Sequence, residues 1–136
     1  MEPSKRVCDS RTEQVHIVMA KDINSVNRLF GGRLMEWIDV VGGVVARRHS
    51  NMEVVTVAID KLEFRAPAYI GDTVFMEGRI LSVGNTSMRV QVNSFVENLH
   101  DGRRDLINHA EMVMIAIDAE QHPVRVPRLR EDEPTE

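Results

Sequence analysis

The 136-residue sequence lacks several features by which whole classes of protein are recognised. A single cysteine, Cys8, excludes an internal disulfide and any metal site built from several cysteines. No apolar run approaches the roughly 20 residues that a helix needs to cross a bilayer, so we expect no membrane partner. Aromatic residues make up 4% and no basic stripe accompanies them, which argues against nucleic-acid binding. The five histidines have no ligand spacing, and we expect no metal site.

The remaining composition predicts one globular domain with polar ends. Residues 1–11 indicate a flexible leader without the apolar stretch of a signal peptide, which makes the cytoplasm the expected location. Residues 12–128 are the predicted domain. Residues 129–136 hold much of the net charge of −4 and predict a frayed acidic tail.

Hydrophobic periodicity predicts one long helix near the start of the domain, over residues 31–49. Its apolar stripe at helical spacing consists of Leu34, Ile38, Val41 and Val45. A short strand is predicted before it, and four strands after it are joined mainly by hairpin-like turns. These five strands cover residues 13–19, 54–64, 74–80, 88–97 and 106–117. This order predicts an α+β fold with a largely antiparallel sheet, whose edges favour a homo-oligomer, at least a dimer.

One acidic residue, Asp39, lies in the middle of this apolar helix. A buried carboxylate is costly, so it is usually paired, protonated or functional. Apolar surroundings raise the pKa of an aspartate toward the value that suits a general base. Gly42 and Gly43 each cost about 1 kcal/mol in a helix interior relative to alanine, and they predict a bare face beside the carboxylate. A structural Asp39 that caps or pairs is the alternative.

Seven segments of the chain carry a family resemblance when they are taken in order. They are residues 22–24 (DIN), 29–32 (LFGG), 35–43 (MEWIDVVGG), 54–57 (VVTV), 64–72 (FRAPAYIGD), 83–88 (VGNTSM) and 126–128 (VPR). Over roughly residues 12–128 the sequence resembles the acyl-CoA thioesterases with a hotdog fold, in which an antiparallel sheet wraps around one long central helix. It is similar to bacterial short- and medium-chain acyl-CoA hydrolases and to the two halves of animal cytosolic acyl-CoA hydrolases.

One departure from the family pattern falls just after the first of these segments. Val26 and Asn27 stand where many relatives have Asn and Gly. Val26 removes a polar group near the expected site. Asn27 still tolerates the left-handed backbone that a turn needs.

The resemblance implies hydrolysis of acyl-CoA thioesters to a free acid and coenzyme A, within fatty acid metabolism. Coenzyme A then enters as part of the substrate, and no cofactor is expected. No serine lies in a Gly-x-Ser-x-Gly motif, so a carboxylate is left as general base or as nucleophile, and Asp39 is the candidate. By resemblance Asn24 is a catalytic partner that donates to the carbonyl or orients the water.

The helix start supplies a second element of the expected site. The backbone N–H groups of Gly31 and Gly32 have no intrahelical acceptor and lie at the positive end of the helix dipole, so they suit the thioester oxygen. Gly31 and Asp39 are about 12 Å apart along the helix, too far to act on one carbonyl. We therefore expect the site at an interface, where the helix start of one protomer faces Asp39 of another.

Coenzyme A brings phosphates and a long amide-containing arm. The extended backbone near Thr56 can pair with this arm as an added strand would, and arginine forks suit phosphate oxygens. The candidate substrate-binding residues are Val55, Thr56, Val57, Arg65, Gly84, Asn85, Thr86, Ser87, Arg89, Arg125 and Arg128.

Two other functions remain open from the sequence. A hotdog dehydratase usually pairs a histidine with the acid on or near the helix, and residues 31–46 contain no histidine. A non-catalytic acyl-CoA binding or sensing module would bind the ester and release no thiol. Dimer, tetramer and hexamer are equally open.

Overall fold

In the computed structural model of the chain, which describes residues 3–132, one α-helix lies against a five-stranded sheet. The helix, α1, begins at Gly31 and ends at Ser50. The strands of this sheet are β2 (Thr12–Ile17), β3 (Glu53–Phe64), β4 (Thr73–Val83), β5 (Ser87–Glu97) and β6 (Arg104–Ile117). Their spatial order is β2-β4-β5-β6-β3, and all four neighbouring pairs are antiparallel. The predicted α+β class, central helix and antiparallel sheet are confirmed.

The predicted apolar stripe of α1 forms one half of the core. Leu34 is 3% exposed, and Ile38, Val41 and Val45 are fully buried. Alternate residues of a strand point to the same face of a sheet, and the inner faces of β4, β5 and β6 supply the other half. The buried residues on those faces include Met76, Ile80, Met88, Val90, Val92, Ala110, Met112 and Met114. Burying each Val, Leu, Ile or Met side chain contributes about 1.5–3 kcal/mol.

Gly78 on β4 allows α1 to approach the sheet closely. A Cβ atom at this position would lie 2.7 Å from Cγ1 of Val41 and 2.9 Å from Cγ2 of Val45. Both valines are fully buried, and a β-branched side chain has one strongly preferred rotamer in a helix. Neither side chain has room to turn aside, so the helix-to-sheet distance depends on the missing side chain.

Gly78→Ala is therefore expected to lower the free energy of unfolding by about 1–3 kcal/mol through overpacking. Denaturant unfolding measures this change. A Val41→Ala background removes the closer of the two contacts and leaves the one with Val45, so Gly78→Ala is expected to cost less there. Equal costs in the two backgrounds would contradict this explanation.

The two ends of the described chain form a small sheet of their own. Strand β1 (Ser4–Arg6) pairs in parallel with β7 (Arg128–Arg130), and a 3₁₀ turn follows at Val7–Asp9. The Cys8 N–H also donates to a carboxylate oxygen of Asp132 at 2.9 Å. Secondary structure thus covers residues 4–9 of the predicted leader and residues 129–130 of the predicted tail. Residues 1–2 and 133–136 lie outside the described part of the chain.

The sheet has an open edge at β3, which pairs on one side only, with β6. Its outward apolar side chains include Val55, Val57 and Phe64, each 43–53% exposed. Val40 on the neighbouring face of α1 is 54% exposed. A long edge with free backbone groups and apolar side chains is a template for pairing with another chain. No helix within residues 3–132 is long and apolar enough to cross a membrane.

Candidate active site

The segment between β2 and α1 folds into a tight loop that carries Asn24. The N–H of Asn24 donates to the carbonyl of Arg28 at 2.8 Å, and Ile23 bridges Leu29. Asn27 has a φ of 63°, so its expected left-handed conformation is confirmed. The loop holds Asn24 beside the start of α1.

Hydrogen bonds within this loop fix the orientation of the Asn24 amide. Its Oδ1 accepts the backbone N–H of Val26 at 3.0 Å and that of Arg28 at 3.1 Å. With the oxygen occupied, the Nδ2 group is left as the outward donor. No oxygen among the described residues accepts from Nδ2, so this N–H group is available to a ligand.

Asn24 and Gly31 line one cavity of about 400 Å³. Its wall is mainly apolar and includes Leu29, Leu34, Phe64, Pro67, Ala68 and Ile107. Within residues 3–132 the N–H groups of Gly31 and Gly32 find no acceptor, as the sequence predicts for a helix start. The structure therefore brings the Asn24 donor and the first N–H of α1 to the same apolar space.

Asp39 lies on the exposed side of α1, so the expected burial of its carboxylate is wrong for the single chain. The buried stripe is one face of the helix, and Asp39 follows Ile38 onto the other. Its Oδ1 accepts the hydroxyl of Thr56 at 2.7 Å, which orients the carboxyl group and leaves Oδ2 open. Asp39 and Thr56 line a shallow groove between α1 and β3.

The role of Thr56 beside the carboxylate is absent from the sequence prediction, which assigns this residue to substrate binding through its backbone. The contact joins a helix to a strand 17 residues further along the chain, and no local periodicity encodes it. The available signal is one hydroxyl in the otherwise apolar run of residues 54–57.

The two helix glycines beside Asp39 have different roles. Gly43 lines the groove, and a Cβ there would meet nothing within 4 Å. Gly42 is buried on the side of α1 that faces the sheet, where a Cβ would lie 2.3 Å from the sulfur of Met112. Consecutive residues of an α-helix are rotated by about 100° about its axis, so the two glycines face different neighbours. Gly43 supplies the predicted bare face, and Gly42 allows α1 to pack against the sheet.

Six of the predicted substrate-binding residues come together at the β4–β5 turn. The Gly84 N–H donates to the carbonyl of Ser87, and that of Val126 donates to the carbonyl of Asn85. Arg125 donates to the Asn85 side chain. Arg128 donates to the carbonyl of Gly84 at 2.7 Å, so its guanidinium helps to hold the turn. This turn patch consists of Gly84, Asn85, Thr86, Ser87, Arg125 and Arg128.

The turn patch lies at the same end of the sheet as the groove. Ser87 pairs with Ile115, and Ile115 pairs with Val55. The patch is therefore two strands from Val55, about 10 Å across the sheet. Val55 and Val57, the other predicted contacts on β3, have exposed side chains at the open edge.

The two remaining arginine candidates lie apart from the turn patch. Arg65 lines the Asn24 cavity and pairs with Glu63 at 2.7 Å. Arg89 follows the buried Met88 onto the outer face of the sheet and pairs with Asp60 at 2.7 Å. Its hydrogen bonds hold the pKa of Asp60 below the ordinary value. The structure does not bring Arg89 to either the cavity or the groove.

The cavity and the groove are separate places on one chain. They share no lining residue. Phe64, at one end of β3, belongs to the cavity, and Thr56 belongs to the groove nearer the other end. The donors at Asn24 and the carboxylate of Asp39 therefore do not converge within one protomer.

Two comparisons with known protein sequences indicate the same family. A family model described as the thioesterase superfamily matches residues 27–102. An acyl-CoA thioester hydrolase of Bacillus subtilis is 36% identical over 128 residues, covering 93% of this chain and 74% of that protein.

Solved structures agree with these sequence relatives. A hexameric acyl-CoA thioesterase gives a TM-score of 0.92 at 34% identity, covering 96% of this chain and 84% of its own. An acyl-CoA hydrolase from Staphylococcus aureus, in complex with butyryl coenzyme A, coenzyme A and coenzyme A disulfide, gives a TM-score of 0.93 at 27% identity. It covers 97% of this chain and 80% of its own. The predicted hotdog fold is confirmed.

The Staphylococcus aureus hydrolase has also been solved as three alanine variants. The residues replaced are an asparagine, an aspartate and a threonine. The spacings between those three positions equal the spacings between Asn24, Asp39 and Thr56 in this chain.

Proposed function

Because the chain belongs to the thioesterase superfamily, we propose that it hydrolyses acyl-CoA thioesters to a free carboxylic acid and coenzyme A, with Asp39 as the catalytic carboxylate. The observation that carries the residue assignment is the hydrogen bond from Thr56 to Asp39 on the open face of α1. A carboxylate fixed at one oxygen and open at the other is prepared to accept a proton. The matching spacings in the Staphylococcus aureus variants support the same residues.

We propose that the working unit is a pair of protomers joined along β3. The open edge of β3 and its exposed valines favour a second copy of the same strand. A twofold axis makes two identical edges antiparallel. The Glu53 end of one strand then lies beside the Phe64 end of the other, which brings the groove of one protomer to the cavity of its partner. The named hexameric relative supports assembly of such pairs.

In this arrangement the two halves of the site act on one thioester. Nδ2 of Asn24 and the N–H groups of Gly31 and Gly32 donate to the carbonyl oxygen and stabilise the charge that develops on it. Asp39 of the other protomer takes a proton from water while the water oxygen bonds to the carbonyl carbon. The carbon–sulfur bond then breaks, and the proton passes from Asp39 to the leaving thiolate. Direct attack by the Asp39 carboxylate is the alternative route.

The bound substrate extends in both directions from this point. The acyl group fits the apolar cavity beside Asn24, and the arm of coenzyme A follows the exposed backbone of β3 toward the turn patch. There Arg125 and the backbone of residues 84–87 are the nearest candidates for phosphate contacts. We place the enzyme in the cytoplasm, since the exposed free thiol of Cys8 suits a reducing compartment.

The shared site predicts that two inactive variants restore activity when their subunits are mixed. In a pair made of one Asp39→Ala and one Asn24→Ala subunit, one of the two sites contains both native residues. A dimer that is retained through both tags is always a mixed pair, so its activity should reach about half of the native value. In a hexamer about half of the pairs are mixed, and activity should reach about a quarter. Thiol release from an acyl-CoA panel, after coexpression and double-tag purification, measures it.

The control for this mixing experiment is the same protocol with two differently tagged Asp39→Ala subunits, which should remain inactive. A mixture of Asp39→Ala and Asn24→Ala without recovered activity would mean that each site lies within one protomer. A native protein that binds acyl-CoA and releases no thiol would instead be a binding module, and the proposed hydrolysis would be wrong.

A further inference from the structure

A second carboxylate near the site, Asp22, is buried although the proposed reaction does not use it. Asp22 is 3% exposed and is the last residue of a 3₁₀ turn at Ala20–Asp22, just before the loop that carries Asn24. Burying a charge is costly unless it is paired and hydrogen-bonded. The contacts that compensate this buried charge therefore indicate the role of Asp22.

Both carboxylate oxygens of Asp22 are engaged. One accepts the backbone N–H of Met19 at 2.9 Å. The other lies 3.2 Å from Nε of Arg33, on the first turn of α1. The backbone carbonyl of Asp22 also accepts the N–H of Phe30 at 2.8 Å. Asp22 thus ties the base of the loop to the residue before the helix and to the helix itself.

The ion pair spans the two donors of the proposed site. Asp22 precedes Asn24 by two residues, and Arg33 follows Gly31 by two residues. Asn24 and Gly31 line the same cavity. A change in the distance between Asp22 and Arg33 would move one donor relative to the other.

We propose that the Asp22–Arg33 ion pair is a positioning device. It fixes the distance between the Asn24 amide and the N–H groups at the start of α1, so that both donate to the same substrate oxygen. This inference rests on the proposed function, because it needs Asn24 and Gly31 as donors. Asp22 acts through Asn24 and does not touch the substrate. A displacement of about 1 Å at a catalytic group can cost 10²-fold in rate.

The chain offers a matched control for this pair. Arg33 also contacts Glu36, through Nη1 at 2.8 Å, on the solvent side. The Glu36 side chain is 66% exposed, against 3% for Asp22. Asp22→Asn and Glu36→Gln are equal chemical changes made on the buried and the exposed partner of one arginine.

We expect Asp22→Asn to lower kcat by roughly 10- to 100-fold with little change in KM, and Glu36→Gln to keep the native kcat. If Asp22 acts through Asn24, Asp22→Asn should lower kcat little further in an Asn24→Ala background. Steady-state kinetics with one acyl-CoA ester, together with thermal unfolding and size-exclusion chromatography, provides these readouts. Where Asp22→Asn does not fold, Arg33→Gln breaks the same pair and should give the same loss of kcat.

Native kcat in Asp22→Asn, or in Arg33→Gln where that variant replaces it, would overturn the inference and leave the proposed function standing. Equal losses in the native and Asn24→Ala backgrounds would also overturn it, since Asp22 would then act by another route. Native kcat in Asn24→Ala itself would overturn both the donor role of Asn24 and this inference.

Discussion

Replacing Asp39 with asparagine is expected to lower kcat by roughly 10²- to 10⁴-fold, the range that proton transfer by a positioned side chain contributes. The amide keeps the shape of the carboxyl group, and its oxygen can still accept the Thr56 hydroxyl. It cannot take the proton from water. Since Asp39 is exposed in the chain, its loss leaves no buried charge unpaired and the fold should persist. Thiol release under saturating acyl-CoA measures kcat, and circular dichroism checks the fold.

The outcome for Asp39 has a matched control on the same helix. Glu36→Gln makes the equivalent change one turn earlier, at a side chain that is also exposed, and should leave thiol release unchanged. If Asp39→Asn also retained native turnover, neither general-base nor nucleophilic catalysis by Asp39 would survive.

Replacing Asn24 with aspartate is expected to lower kcat by roughly 10²- to 10³-fold, as for loss of one donor to a developing oxyanion. The new carboxylate can still accept the N–H groups of Val26 and Arg28 that Oδ1 accepts now. The loop should therefore keep its shape while the Nδ2 donor disappears. The same thiol-release measurement applies, with the KM recorded to separate binding from chemistry.

A second asparagine of the same loop serves as the control for Asn24. Asn27 has a φ of 63°, which glycine adopts at no steric cost, so Asn27→Gly should keep both the turn and the turnover. Native kcat in Asn24→Asp would contradict the donor role, and a large loss in Asn27→Gly would trace the effect to loop shape.

The helix and the sheet could be predicted because their signals are local. The stripe of Leu34, Ile38, Val41 and Val45 needs one period to recognise. The helix ends where the sequence loses that pattern, and Asn51 there adopts the left-handed conformation of a C-cap, with φ 57°. The alternation in β5 identified its buried face in the same way. The family resemblance predicts the donor at Asn24, and the unpaired N–H groups of a helix start predict the donor at Gly31. One cavity brings these two donors together.

The remaining features depend on distant contacts. The hydroxyl of Thr56 reaches Asp39 only because β3 lies beside α1, and the sequence contains no spacing rule for that pair. The burial predicted for Asp39 failed because helix periodicity identifies one buried face of α1, and Asp39 lies on the other face. The short strand β1 escaped prediction because its partner lies more than 120 residues away, and three residues carry no usable alternation.

The pairing of β1 with β7 makes the backbone nearly a closed ring. The backbone N–H of Arg128 donates to the carbonyl of Pro3 at 2.8 Å. A connector that replaces the residues before Ser4 and after Arg130 would therefore span only the length of these three-residue parallel strands, about 10 Å. New extremities could then be opened between β5 and β6, where Leu99 is 86% exposed. A circularly permuted gene of this design keeps the cavity, the groove and the free edge of β3 on uninterrupted segments.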